Sequence, residues 1–267
     1  MRFNLVFAFA NFTFLVFFVG LSQAEVDLDS LVGFWAFNEG TGDTAKDLSG
    51  KDNHGKAVGD PKWVKGKIGS ALEFDGKDDY LEIKNSKSLN VGANDFTLVA
   101  WLYPHAPGGG NGIISKGAWC WNGGWILDIG DTGPGAIRLE TSAVGGDNGS
   151  IITPADTMEV KQWQFVAASV TRNKDSFIYV DGKEVAAKVV KDNDLSQEYP
   201  LLMGCLSNCQ KAPGGFFNVS ISQVALFSGV ALAKKDIDNI MEVGMEKIMA
   251  VSPASKLSLT WGALKTK

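Results

Sequence analysis

A chain of 267 residues with 25 Lys and Arg against 30 Asp and Glu has a formal charge of −5, so it lacks the basic surface that a nucleic-acid binder needs. Its 45% hydrophobic content is enough for one sizeable core, and no stretch after the first 24 residues is apolar over the ~18 positions of a membrane helix. Three cysteines are an odd number, which leaves one thiol over in any disulfide scheme.

In chain order, Arg2 opens an uncharged run, "FNLVFAFANFTFLVFFVG", and "LSQA" then places Ser22 and Ala24 at the −3 and −1 positions of a cleavage site. This predicts a signal peptide over 1–24 and export to the cell envelope or the extracellular space. A membrane anchor is the competing reading, disfavoured by Asn4 and Asn11 inside the run. Residues 25–245 read as one domain, and 246–267 as a helix end and tail.

Short β runs punctuated by Gly, Asn and Asp follow. "LVGFWAF" (31–37) is the first strand. "ALEFDGKDDYLEI" (71–83) reads as a hairpin turning at Asp75-Gly76, with Leu72 and Phe74, then Leu81 and Ile83, at alternate positions. "FTLVAWLY" (96–103) has the continuous apolar character of a central strand. Shorter strands are predicted over 111–116, 124–130 and 136–141, then a pair over 163–171 and 176–187 with Asp181-Gly182 as its turn, and a last strand over 216–227. Helical spacing occurs in "KKDIDNIMEVGMEKIM" (234–249), where Ile237, Ile240, Met241, Met245, Ile248 and Met249 share a face. The absence of βαβ alternation disfavours a parallel sheet.

Catalytic patterns are sparse. Glu73, Asp75 and Asp78 resemble a glycosidase strand, but Asp78 lies past the turn and cannot share a strand face with the other two. His54 and His105 have no Gly-x-Ser-x-Gly elbow to serve. "KGAWCWNGGW" groups Trp119, Trp121 and Trp125 with Asn122, and rings with broad apolar faces suit sugars or protein surfaces. These four are the candidate ligand contacts. Cys205 and Cys209, in "CLSNC", are a reasonable local disulfide, with Cys120 free or an alternative partner. "FNEGTGDTAKDLSGKDNHG" (37–55) collects the oxygen donors that Ca2+ favours, but Asn, Asp, Ser and Gly are equally the residues of turns.

The order of these motifs resembles the laminin G-like, concanavalin A-like jelly rolls. An aromatic strand with Trp, Glu-Gly, Asp-x-Ser-Gly with a following Asn-x-Gly, and Phe-Asp-Gly-x-Asp-Asp-Tyr come first; "FTLVAWLYP", "WQFVAASV", "IYVDGKEV" and "VSISQVALFSGVAL" follow. The resemblance spans residues 31–245 and implies an all-β sandwich of two antiparallel jelly-roll sheets, with a short C-terminal helix. It also implies a structural calcium ion between the early loop and the last core strand, carried over here to Glu39, Asp47, Asn53 and the His54 segment. The last strand departs from the pattern, with Ser222 and Gln223 where the family has Asp-Glu; Gln223 keeps one carbonyl oxygen, so the implied calcium site is a weak one. The function implied is a non-catalytic binding or adhesion module for glycan or an extracellular protein. A polysaccharide hydrolase or lyase on the same fold is the first alternative. An envelope-associated structural protein that docks through its C-terminal tail is the second.

Overall fold

A computed structural model describes residues 26–117, 123–143, 146–207 and 212–251. The first strands are β1 (Leu31–Trp35), β2 (Thr44–Ala45), β3 (Gly55–Val58), β4 (Lys62–Lys65), β5 (Ser70–Asp75) and β6 (Tyr80–Ile83). Next come β7 (Phe96–Pro104), β8 (Asn111–Gly117), β9 (Gly124–Ile129), β10 (Ile137–Ala143) and β11 (Gly146–Ile152). β12 (Gln164–Val170), β13 (Asp175–Val180), β14 (Lys183–Val189) and β15 (Leu201–Met203) follow. A small pair, β16 (Leu206–Ser207) and β17 (Pro213–Gly214), precedes β18 (Asn218–Ser228) and the helices α1 (Lys234–Val243) and α2 (Met245–Val251).

Two eight-stranded antiparallel sheets face each other. One runs β14-β13-β12-β7-β18-β5-β4, with β1 also paired to β18; the other runs β11-β10-β9-β8-β15-β6-β3-β2. The all-β jelly-roll sandwich expected from the motifs is therefore the fold. Alternation assigns each side chain. Leu72 and Phe74 of β5, Leu98, Ala100 and Leu102 of β7, and Val219 and Ile221 of β18 point into the core between the sheets. There they meet Leu81, Ile83, Leu127, Ile129 and Leu139 from the opposite sheet. Trp35 folds its ring back over Gly33, where a Cβ would stand 2.4 Å from the ring, and its Nε1 donates to the Asn53 carbonyl at 2.8 Å.

The expected hairpin over 71–83 is not a hairpin. β5 pairs with β18 and β4 in one sheet, and β6 pairs with β15 and β3 in the other, so Asp75–Tyr80 is where the chain crosses between sheets. The same alternation fits both arrangements, because Leu72, Phe74, Leu81 and Ile83 enter one core from opposite walls. Asp79 fixes the crossing: buried, it accepts from the backbone N–H of Asp60 at 2.6 Å and of Asp75 at 3.1 Å. The Asp181-Gly182 hairpin does form, joining β13 to β14 with φ of 47° and 73°, the pair of positive values that a type I′ turn requires.

The predicted single helix is two. Gly244 adopts φ 85°, ψ 143°, which ends α1 and redirects α2. The predicted face still buries its residues. Ile237, Ile240, Met245 and Ile248 pack on the outer side of the β7 sheet, over Phe34, Val99, Phe165, Ala225 and Phe227. The helices therefore form a third layer over part of one sheet.

Candidate functional site

The helical layer stops short of one end of its sheet, and there a row of side chains crosses adjacent strands. Lys62 of β4 faces Glu73 of β5, Glu73 faces Ser220 of β18, and Ser220 faces Tyr103 of β7. Trp163, just ahead of β12, continues the row, with its ring 5.5 Å from that of Tyr103. Directly opposed residues in antiparallel strands have Cβ atoms about 5 Å apart, so register alone brings these groups together.

His105 leaves the end of β7 and returns over the row. Its ring meets Tyr103 edge-on at 5.0 Å, and its Nε2 lies 3.0 Å from Ser220 Oγ and 3.3 Å from Glu73 Oε2. Ser220 Oγ also donates to Glu73 Oε2 at 3.2 Å. Val64 and Lys65 complete an open groove of about 280 Å³ with Glu73, Tyr103, His105, Trp163 and Ser220. A larger, acidic depression of about 450 Å³, bounded by Asp60, Lys62, Asp75, Asp78 and Asp79, joins it at Glu73.

The arrangement can bind, but it is poorly built for catalysis. Ser220 and Glu73 both approach the same nitrogen of His105, so the Glu73 carboxylate does not orient the far side of the ring as a nucleophilic relay needs. Asp75, the neighbouring carboxyl on the Glu73 face, is held below its ordinary range by the Lys77 backbone N–H, with help from the Lys77 ammonium. That is the wrong direction for a general acid.

Among the described residues, Asp75, Asp78 and Asp79 have carboxylate oxygens within 4.8 Å of one another. Lys77 answers Asp75 at 3.3 Å, and Asp79 is taken up by the two backbone N–H groups of the sheet crossing.

The residues singled out for calcium occupy hydrogen bonds within the protein. Asp47 accepts from Phe34 N, Ser49 N, Ser49 Oγ and Asn53 N, all at 2.8–2.9 Å, which uses both its oxygens. His54 Nδ1 accepts from Asp47 N at 3.0 Å, so this ring stabilises the turn. Asn53 donates to the Val32 carbonyl and Ser88 Oγ and accepts from Ser86 Oγ. Glu39 Oε1 accepts from Lys46 N; its Oε2 has no partner among the described residues. Gln223 sits at φ 47° in a bulge of β18 and donates to Glu246 of α2 at 3.3 Å, beside Asn38 Nδ2, which donates to the same carboxylate at 3.0 and 3.1 Å. A helix carboxylate thus bridges the early loop and the last strand. Calcium needs six to eight convergent oxygens, and the expected set, with Asp47 saturated, does not fit one.

Trp125, expected at a ligand rim, is instead a core residue. It is 1% exposed on β9 and stacks on Phe96 at 5.9 Å, because its position in β9 points it between the sheets. Trp119, Trp121, Asn122, Cys120 and Cys209 lie outside the described residues, as do residues 1–25 and 252–267. Of the expected Cys205–Cys209 pair, the described residues include Cys205 alone. Cys205 is a free thiol, fully buried, and burial pushes its pKa up to about 12. Sequence reasoning did not single out Tyr103, Trp163 or Ser220. The signal was present in the alternation of "FTLVAWLYP" and "NVSIS", whose outward positions become polar or amphipathic at one end.

A sequence profile for a laminin G domain, described as the concanavalin A-like lectin/glucanases superfamily, matches residues 75–238, more than half of the chain. The chain belongs to that superfamily. No curated protein matches this lectin/glucanase-type chain in sequence. In fold it is similar to the binding domain of Paraclostridial Mosquitocidal Protein 1, at 18% identity and a TM-score of 0.63 over 81% of this chain. The binding domain of Botulinum neurotoxin DC, solved in complex with SialylT, is similar at 17% identity and 0.63 over 82%. The chain spans about half of each toxin domain, 52% in both cases. Domain 4 of AbnA, a GH43 extracellular arabinanase from Geobacillus stearothermophilus in complex with arabinotriose, is similar at 14% identity and 0.58, over 79% of this chain and 98% of that one.

Proposed function

We propose that this chain is an exported, non-catalytic module that binds carbohydrate in the groove between Trp163, Tyr103, His105, Ser220 and Glu73. The observation that carries this reading is the pairing of two aromatic faces, Tyr103 and Trp163, with a carboxylate, a hydroxyl and an imidazole on one uncovered sheet face. A sugar ring offers apolar C–H faces and hydroxyl edges, and that groove offers their complements. Its volume of about 280 Å³ is at the scale of one or two sugar units rather than of a protein interface. The neurotoxin binding domain, about half of which this chain matches, and the arabinanase domain were solved in complex with SialylT and with arabinotriose, which supports the ligand class.

Titration of the purified chain against a panel of neutral and sialylated oligosaccharides tests the proposal. Binding by at least one of them, weakened tenfold or more by Trp163→Ala and by Tyr103→Ala, is expected. Binding indifferent to both substitutions, or release of reducing ends from any polysaccharide, would overturn it. Export is tested separately, by N-terminal sequencing of the secreted chain, which should begin at Glu25.

A further inference from the structure

Away from the groove, Lys116 of β8 has no exposed surface. Its Nζ donates to Asn85 Oδ1 at 2.8 Å and to the carbonyls of Gln197 and Tyr199 at 2.7 Å each. Asn85, on the loop after β6, in turn donates its Nδ2 to Glu198 Oε2 at 2.8 Å. An amine, a carboxamide and a carboxylate are therefore joined in series. The amine is buried, the amide is partly buried, and the carboxylate reaches solvent. Lysine amines sit at protein surfaces as a rule, and a wholly buried one calls for a reason.

We propose that Lys116 and Asn85 join in an intramolecular isopeptide bond, with Glu198 as the acid–base partner. In this step the Nζ lone pair attacks Asn85 Cγ, forming the Nζ–Cγ bond and moving an electron pair onto Oδ1. The proton that leaves Nζ is taken up by the Glu198 carboxylate and handed on to Nδ2, which that carboxylate already contacts. The carbonyl re-forms, the Cγ–Nδ2 bond breaks, and ammonia departs to solvent on the exposed Glu198 side. Nothing is oxidised or reduced, and no co-reactant is consumed.

Two physical features favour the step. The hydrogen bond to Oδ1 holds amine and amide in contact, which removes the entropic cost of bringing them together. Burial pushes the Lys116 ammonium down to about 8, against the attraction of Glu198, so the nucleophilic amine is well populated in mildly alkaline solution. The bond would reinforce an existing link: Leu201 of β15 pairs with both Ile83 of β6 and Lys116 of β8, so the cross-link bridges the end of three adjacent strands.

Peptide mapping of the purified full chain by mass spectrometry, after incubation at pH 7 and pH 9, tests the proposal. The expected product is a branched tryptic species joining the Asn85 and Lys116 peptides, about 17 Da below their sum for the lost ammonia, with no cleavage at Lys116. It should accumulate faster at pH 9, and Asn85→Ala and Glu198→Gln should leave the peptides linear. Cyclisation of Asn85 with Ser86 to a succinimide would lose the same mass, yet leave Lys116 cleavable. Either that outcome or unmodified peptides after the pH 9 incubation overturns the proposal. A cross-link that persists in Glu198→Gln removes Glu198 from its role.

Discussion

The outer side of the β7 sheet has two halves that follow the same strands and the same alternation, yet they do opposite things. Under α1 and α2 the outward residues are Phe34, Val99, Phe165, Ala225 and Phe227, sealed against Ile237, Ile240, Met245 and Ile248. Past the helices the outward residues are Tyr103 of β7 and Glu73 of the neighbouring β5, partly open to solvent with Trp163 and His105 over the buried Ser220 of β18. β7 and β18 run through both halves, so strand geometry cannot be the difference. What changes is the layer above. A sheet face with a helical cover is a core, and its uncovered continuation is a surface on which register can align polar and aromatic groups for a ligand. Trp101 marks the border: its ring packs edge-on against Phe165, 5.2 Å away on the covered side, while the Lys67 ammonium lies 4.9 Å above it.

Truncation should separate the halves sharply. Phe227→Ala empties a fully buried position beneath the helices, and a loss of about 3–5 kcal/mol is expected in chemical denaturation. The early loop that braces β1 comes next. Asp47→Ala strips acceptors from the buried N–H groups of Phe34 and Asn53, and a loss of about 2–3 kcal/mol is expected. Because the Asp47 oxygens are taken by protein donors, chelator or added calcium should not move the melting temperature of the wild-type chain. A rise of several degrees with calcium would show that the loop holds an ion after all.

How much of this contrast the sequence reveals depends on the scale of the signal. Sandwich strands and a helical face with Ile237, Ile240, Met245 and Ile248 together are legible, because each is a local periodicity. The Asp75-Gly76 segment misleads, since a turn signal between two alternating runs fits a hairpin and a sheet crossing equally; only the partners of Leu72 and Leu81 decide between them. Trp125 misleads in a related way. Its ring groups in sequence with Trp119 and Trp121 as a ligand contact, whereas its phase in β9 points it between the sheets against Phe96. The groove is the least legible feature. Glu73, Tyr103, Trp163 and Ser220 lie up to 147 positions apart and meet only through strand order, which no window of sequence contains.

The open half should respond to substitution in affinity rather than stability. Trp163→Ala removes a half-buried ring at the edge of the cover, so a stability loss of about 1 kcal/mol or less is expected beside the tenfold loss of oligosaccharide affinity. Equal, large losses of both would mean that the groove is an extension of the core, and the contrast between the halves would fail.

The smallest effect is expected at the border of the cover itself. Glu246 of α2 accepts from Asn38 and Gln223, so its carboxylate ties the helix to the early loop and to the bulge of β18. Glu246 and Asn38 are solvent-exposed while Gln223 is buried, and exposed interactions of this kind contribute about 0.2–1 kcal/mol. Glu246→Gln keeps the size and one acceptor but turns an N–H group toward two donors, and a loss below about 1 kcal/mol is expected in the same denaturation experiment. Hydrogen exchange gives the finer test. If Glu246 is what pins α2, amides of α2 should exchange faster in the variant while those of β7 and β18 do not change. Unaltered protection throughout would mean that Met245 and Ile248, packed against the sheet, hold the cover by apolar contact alone.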